Sequence, residues 1–276
     1  MTHTSRQQAN YANQANAPIG IFDSGVGGLS IYQGIKKLLS NEQLIYVGDM
    51  AYAPYGEKTT DFIYQRSHRI CQFLIAQGVK AIVVACNTAT VSVIAQLRAD
   101  FSLPIIGVEP AVKPAALATK TGHVAVWATK ATVASESFAN LRRQHSNGID
   151  YHLLACPGLV ECIELQTLGP ALDKLLDQFV AKTLAHDIDC LVLGCTHYPF
   201  VKQQIRQRLP ANITLYDTAE PVAKQLQRQL ALSQLLSLNC VIAQADKFYT
   251  TSPLATVNQV FSALLNKPTV VNYTHI

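Results

Sequence analysis

Asp189-Cys190-Leu191-Val192-Leu193-Gly194-Cys195-Thr196-His197-Tyr198-Pro199 is the stretch whose reading decides the fold. It reads as a buried strand running to a small residue, then a cysteine beside two polar side chains, then a turn. The same design stands earlier, at Ala81-Ile82-Val83-Val84-Ala85-Cys86-Asn87-Thr88. In both, an apolar run ends at Ala or Gly, a cysteine follows, and hydrogen-bonding residues come next. Asn87, Thr88, Thr196 and His197 are poor continuations of a buried strand, so the chain turns at each thiol.

Working outward, the pattern repeats. Ile19–Phe22 predicts a strand, followed by the glycine-rich turn Asp23-Ser24-Gly25-Val26-Gly27-Gly28 and a helix over Leu29–Leu39. Strands at Gln43–Val47, Val79–Ala85 and Pro104–Val108 alternate with helices at Asp61–Gln77 and Thr88–Ala99. A second pass follows: strands at Val124–Ala128, Tyr151–Ala155, Cys190–Leu193 and Ile213–Tyr216, with helices at Thr132–Arg143, Ala171–Ala185 and Phe200–Leu209. The chain closes with a long helix over Glu220–Leu238, a short strand over Lys247–Thr250 and a helix over Ser252–Leu265. Strands alternating with helices imply parallel sheets covered on both faces.

The two passes match in register. Ile19-Gly20-Ile21-Phe22 corresponds to Val124-Ala125-Val126-Trp127, and Cys86 to Cys195. The expected fold is therefore α/β, with two similar lobes related by pseudo-twofold symmetry. Ligands of such sheets sit beyond the carboxyl ends of the strands. Asp23, Cys86, Thr129 and Cys195 all fall just past strand ends. Two such lobes face to face would set Cys86 and Cys195 across one cleft.

Composition narrows the classes. Of 276 residues, 49% are hydrophobic and 14% charged, which provides for a sizeable core. The net charge of +4 is small and spread along the chain, so nucleic acid is not an expected partner. No apolar stretch is long enough to span a bilayer. Met1–Ala17 is rich in Gln, Asn and Ala and lacks a signal-peptide core, so it reads as a flexible tail on a cytoplasmic protein. Seven cysteines, an odd number, point to reduced thiols. Cys71, Cys156, Cys162, Cys190 and Cys240 read as core or surface thiols. None of the cysteines has zinc-finger spacing, so no structural metal is expected.

Two thiols in duplicated settings suit one kind of chemistry. Moving a proton off one face of a carbon and onto the other needs a base on one side and an acid on the other. A racemase meets this with two matched groups that exchange roles in the reverse direction. A thiol titrates near ~8.5 and is lowered at a helix N-terminus, where backbone N–H groups also bind carboxylates. Asp23 and His197 stand ready to exchange protons with their respective thiols. Weighed against this, a single cysteine at a strand end is usually packing. Repetition, together with the polar followers, lifts Cys86 and Cys195 above that.

Two rival readings involve cofactors. The Asp23–Gly28 turn has the strand–glycine–helix form of a dinucleotide site, with Asp49 placed as a ribose-binding acid. Ser30 replaces the third glycine, however, and Asp23 would lie beside a pyrophosphate. Lys130, in Thr129-Lys130-Ala131-Thr132, is a formal Schiff-base candidate for pyridoxal phosphate, but no phosphate-binding glycine loop accompanies it.

Four motifs carry a close resemblance to the glutamate racemases of the aspartate/glutamate racemase superfamily. They are Ile21-Phe22-Asp23-Ser24-Gly25-Val26-Gly27-Gly28-Leu29, Pro54-Tyr55-Gly56, Ala85-Cys86-Asn87-Thr88-Ala89 and Gly194-Cys195-Thr196-His197-Tyr198-Pro199. The resemblance implies two flavodoxin-like, doubly wound parallel-sheet lobes with the active site between them. Residues 18–112 with 221–276 would form the first lobe, and 113–220 the second. It implies cofactor-independent interconversion of L- and D-glutamate for peptidoglycan synthesis, in a cytoplasmic homodimer. Cys86 would be the base toward D-glutamate, assisted by Asp23, and Cys195 toward L-glutamate, assisted by His197. Glu164 falls where the family has an acid close to the histidine. Ser24, Tyr55, Gly56, Asn87, Thr88, Thr132 and Thr196, with Asp23 and His197, would hold the substrate. The chain departs from the family pattern at Trp127, Ala131, Gly158 and Glu161. The alternatives are a racemase of another acidic amino acid such as aspartate, and a non-catalytic two-lobed amino-acid-binding protein.

Overall fold

The computed structural model describes residues 14–166, 169–237 and 244–276. The chain divides into two compact units, one running to Val108 and resuming over Ala219–Ile276, the other spanning Glu109–Thr218.

The first unit begins β1 (Ile19–Asp23), α1 (Leu29–Leu38), β2 (Leu44–Gly48), α2 (Thr60–Ala76), β3 (Ala81–Val84), α3 (Asn87–Asp100) and β4 (Ile105–Gly107). The second contains α4 (Val112–Ala118), β5 (His123–Ala128), α5 (Lys130–Ala134), α6 (Glu136–Gln144), β6 (Asp150–Ala155), α7 (Leu159–Glu164), α8 (Pro170–Leu184), β7 (Cys190–Leu193), α9 (Lys202–Arg208) and β8 (Thr214–Tyr216). The chain then completes the first unit with α10 (Ala219–Leu232), β9 (Lys247–Thr250), α11 (Val257–Leu265) and β10 (Val271–Tyr273).

Both sheets are parallel throughout. The first runs β10-β9-β2-β1-β3-β4 and the second β6-β5-β7-β8. Each therefore holds its own first four strands in the order 2-1-3-4, the doubly wound arrangement expected. β1, β2, β3 and β7 are buried along their whole length, which is why they read as unbroken apolar runs rather than alternating ones.

Several boundaries differ from the sequence expectation. The helix expected over Thr132–Arg143 is two helices, because Ser135 accepts a hydrogen bond from Phe138 N and restarts the chain as an N-cap. The expected helix over Phe200–Leu209 opens as a 3-10 turn at Tyr198–Val201, where Pro199 supplies no N–H. The long helix from Glu220 ends at Leu232, with Gln234 in the left-handed region at φ 56° and Leu235 N returning to Leu230 O; residue 238 lies outside the described residues. The last helix begins at Val257, not Ser252. Helices α4 and α7 and strand β10 have no counterpart in the sequence reading. Of the segment Met1–Ala17, residues 1–13 lie outside the described residues; Ala15 is buried, and its carbonyl accepts from Lys80 Nζ at 2.5 Å. Lys80 also pairs with buried Glu42. Cys240 likewise lies outside the described residues.

Trp127 fits its strand through a ring contact and a hydrogen bond. It is fully buried, sits edge-on to Phe179, and donates Nε1–H to Thr183 Oγ1 at 2.7 Å.

Candidate active site

The backbone places Cys86 and Cys195 identically within their own sheets. Phe22 is paired with Val84 and Trp127 with Leu193, and each cysteine lies two residues beyond that pair. The next ladder bond is also repeated: Ala85 N donates to Phe22 O and Gly194 N to Trp127 O, both at 2.7 Å. On the other side of the first strand, Asp49 N donates to Asp23 O and Cys156 N to Ala128 O. The position of Asp23 thus corresponds to Ala128, and that of Thr88 to His197. Each thiol sits at the crevice where strand order reverses, the site at which such sheets bind ligands.

In the first unit, Cys86 is the N-cap residue of α3 and is 5% exposed. Its Sγ lies 3.6 Å from Ser24 Oγ. Burial, and then the charge of Asp23, push the thiol up to about 12, against the opposing pull of the Ala89 N–H and Ser24. Asp23 is buried, and its Oδ2 accepts from Gly28 N at 2.8 Å. Gly28 is required here: a Cβ would lie 2.7 Å from Asp23 Cβ and 2.9 Å from Ala85 Cβ. The glycine-rich turn therefore brings a carboxylate, rather than a phosphate, against the helix start. Asn87 is buried on the first turn of α3 and Thr88 follows it, half-buried.

Tyr55 packs in the same apolar cluster as Cys86 and is fully buried. Its hydroxyl donates to Asp49 Oδ2 at 2.5 Å. Asp49 is also gripped by Arg66 through two bonds, Nη2 to Oδ1 at 2.7 Å and Nε to Oδ2 at 3.0 Å, and by Thr251 Oγ1 at 2.9 Å. Its carboxylate is fully committed, which removes it as a ribose ligand and ends the dinucleotide reading. Burial and the Asp49 charge hold the Tyr55 hydroxyl well above its ordinary range. Gly56 is exposed in the 3-10 turn beside it.

In the second unit, Cys195 is 5% exposed and its Sγ lies 3.7 Å from His197 Nδ1. His197 Nε2 lies 2.9 Å from Glu164 Oε1. Burial alone would lower the imidazole, but the contacts to Cys195 and Glu164 outweigh it and lift His197 to about 10. Both ring nitrogens donate only when the ring is charged, so the arrangement stores a proton between a sulfur and a carboxylate. Glu164 reaches this place from the end of α7, whose N-cap Gly158 has φ 81°, a left-handed conformation that disfavours a side chain. Glu161 is exposed on the first turn of α7, where a negative charge suits the helix dipole. Thr196 is buried beside Cys195. Thr132 is buried on α5, just past β5, its hydroxyl 2.9 Å from that of the N-cap Thr129. Lys130 is exposed on α5, a poor setting for a Schiff base.

Further side chains, absent from the sequence expectation, support the site. Arg66, on the buried face of α2, and Thr251 hold the Asp49–Tyr55 pair. Tyr198 is buried against both Cys195 and Cys156, and burial together with those two sulfurs pushes its hydroxyl up. An arginine on the apolar stripe of an amphipathic helix was the one visible signal.

A family model described as Asp/Glu/Hydantoin racemase matches residues 19–226. The chain belongs to the Asp/Glu/Hydantoin racemase family. Among its relatives in that family is a glutamate racemase of Ectopseudomonas mendocina, 45% identical over 262 residues, covering 94% of this chain and 99% of the relative. A glutamate racemase from Bacillus anthracis superposes with a TM-score of 0.84 at 30% identity, covering 94% of this chain and 98% of that one. The Escherichia coli glutamate racemase, solved in complex with L-glutamate and the activator UDP-MurNAc-Ala, gives 0.80 at 30% identity over 93% of this chain and 97% of that one. These two solved glutamate racemases thus share the fold across nearly the whole chain.

Proposed function

We infer that the chain is a glutamate racemase that interconverts L- and D-glutamate with two cysteines acting on opposite faces of the α-carbon. The observation that carries this reading is the register-equivalent placement of Cys86 and Cys195, each with a different proton partner. In one direction Cys195 Sγ takes the α-proton, and the electron pair left on carbon spreads into the substrate carboxylate. The Cys86 S–H then gives its proton to the other face. In the reverse direction the roles exchange, with Asp23 receiving the proton that Cys86 must shed and His197 supplying the one that Cys195 must carry. Asn87, Thr88 and Thr196 offer donors to the developing carboxylate charge, with Ser24, Gly56 and Thr132 completing the substrate contacts. The Tyr55 proton is committed to Asp49, so its oxygen would serve the substrate as an acceptor, suited to the ammonium.

No metal or organic cofactor enters these steps. Among the described residues no helix is long and apolar enough to cross a membrane. A cytoplasmic homodimer serving peptidoglycan synthesis is the setting that the family resemblance supports; light scattering of the purified chain tests the dimer.

Racemisation of L-glutamate in heavy water, without added cofactor, tests the mechanism. D-glutamate should carry deuterium at Cα while the remaining L-glutamate stays largely protiated at early times. Product formed without deuterium would sink the two-base reading. Cys86→Ser and Cys195→Ser should each abolish turnover. Parallel assays with aspartate address the nearest alternative, and glutamate binding that both serine variants keep, without turnover in the wild type, would indicate a binding protein.

A further inference from the structure

At the amino ends of the second sheet, away from Cys195, three side chains converge that the racemase reading does not use. His123 opens β5, and Asp150 and His152 open β6. The register pairs His123 with Asp150 and Ala125 with His152, so the alternation of strand side chains puts all three on one face. Their polar atoms form a nearly equilateral triangle. His123 Nδ1 lies 3.2 Å from His152 Nε2, and Asp150 Oδ2 lies 3.6 Å from the first and 3.5 Å from the second. His186, in the turn after α8, stacks on the His152 ring with centroids 3.9 Å apart and so fixes its plane.

This triangle has the dimensions of one face of a coordination tetrahedron. Bonds of about 2.0–2.2 Å from a tetrahedral zinc ion to imidazole nitrogen and carboxylate oxygen set the ligand atoms roughly 3.3–3.6 Å apart. Two imidazoles and one carboxylate suit a borderline ion such as zinc, whereas calcium and magnesium prefer all-oxygen shells. The side chains of His123, His152 and Asp150 are 39%, 18% and 64% exposed, so an ion can reach them from solvent and keep water in its fourth position. We propose that His123, Asp150 and His152 form a binding site for a divalent transition-metal ion of the zinc class. The ion would tie the start of β5 to the start of β6. At about 3.3 Å per residue along β5, the site stands roughly 15 Å from the carboxyl strand ends, so it steadies the second unit rather than entering the chemistry. The set contains no thiol, so cysteine spacing does not reveal it.

Calorimetric titration of zinc into the tag-free full chain tests the proposal. Thiols also take zinc, so the titration is run on wild type, on the Cys86→Ser/Cys195→Ser double variant, and on His123→Ala and Asp150→Ala. These last two replace exposed or half-exposed side chains outside the core. One saturable site should persist in the double serine variant. His123→Ala and Asp150→Ala should weaken it by more than the roughly 10–100-fold that loss of an outer-shell partner costs. Zinc should also raise the melting temperature of wild type but not of Asp150→Ala. Absence of saturable binding in the double serine variant overturns the site, as does binding that both substitutions leave unchanged. The 3.2 Å contact would then be a hydrogen bond between two imidazoles and nothing more.

Discussion

Glu164→Gln tests the proton store directly. His197 is held charged by two contacts, one to Cys195 Sγ at 3.7 Å and one to Glu164 Oε1 at 2.9 Å, and is lifted to about 10. Glutamine keeps the shape and an acceptor oxygen but removes the charge. A hydrogen bond between charged partners is worth about 1.5–3 kcal/mol, and one pH unit is about 1.36 kcal/mol, so the substitution should lower His197 by about one to two pH units. If turnover needs the imidazolium, the alkaline limb of kcat/KM should move down by the same amount. The substrate's own ammonium titrates identically with both enzymes, so the difference between the profiles is the readout. The two enantiomers have equal free energy in water, and kcat/KM must therefore be equal in both directions for any variant. One profile suffices, and the opposite direction checks the assay. A histidine NMR titration reads His197 without turnover. An alkaline limb and a His197 titration that coincide in Glu164→Gln and wild type would refute the reasoning.

Three further outcomes follow from the same geometry. The His197 proton is also a stability term: because its folded value lies above the ordinary imidazole value, its contribution is complete below about pH 6.5 and is lost as pH rises through about 10, so Glu164→Gln should flatten the alkaline decline in urea-unfolding stability. Gly28→Ala should cost about 1–3 kcal/mol by overpacking against Asp23 and Ala85, and should lower kcat as Asp23 moves; an unchanged melting temperature would contradict the close approach. Arg66→Met leaves the buried Asp49 charge unpaired, and should cost about 3–5 kcal/mol in urea unfolding and loosen the Tyr55 turn, whereas a near-neutral result would show that Asp49 finds other partners.

Much of this was readable because the central strands are buried on both faces. Such strands appear as short apolar runs, and the runs before Cys86 and Cys195 end in polar residues that cannot continue them. Register followed from matching Ile19–Phe22 with Val124–Trp127, and the ladder bonds of Ala85 and Gly194 reproduce that match. What stayed hidden was decided at longer range or over too few residues. Helix α7 has six residues, too few for a periodic signal, yet it delivers Glu164. The Ser135 cap looked like an interior residue because the apolar spacing continues across it. Asp49 reads equally well as a ribose ligand or a structural acid until Arg66, 17 residues on, and Thr251, 202 residues on, are seen to hold it.

On the proposed mechanism, the duplicated backbone leaves the two thiols with different helpers. The backbone is repeated so closely that Asp23 answers to Ala128 and His197 to Thr88, yet neither helper is duplicated. Unlike surroundings bias which side of the pair holds its proton in the free enzyme, whereas a symmetrical pair sharing one proton would hold it on either sulfur equally. In the first unit, burial and the Asp23 carboxylate keep the proton on Cys86, whose thiol is pushed up to about 12. In the second, the contacts to Cys195 and Glu164 outweigh burial and keep a proton on His197. On the reading proposed here, the free enzyme at neutral pH therefore holds an acid ready on the Cys86 side, suited to the direction in which Cys195 removes the α-proton. The other direction must first pass the Cys86 proton toward Asp23. The asymmetry falls on kcat and KM separately, since their ratio is tied by the equal energies of the enantiomers. Replacing Asp23 with Asn removes the acceptor and should depress kcat more in the direction that begins at Cys86. Equal losses of kcat in both directions would show that Asp23 positions the turn rather than taking the proton.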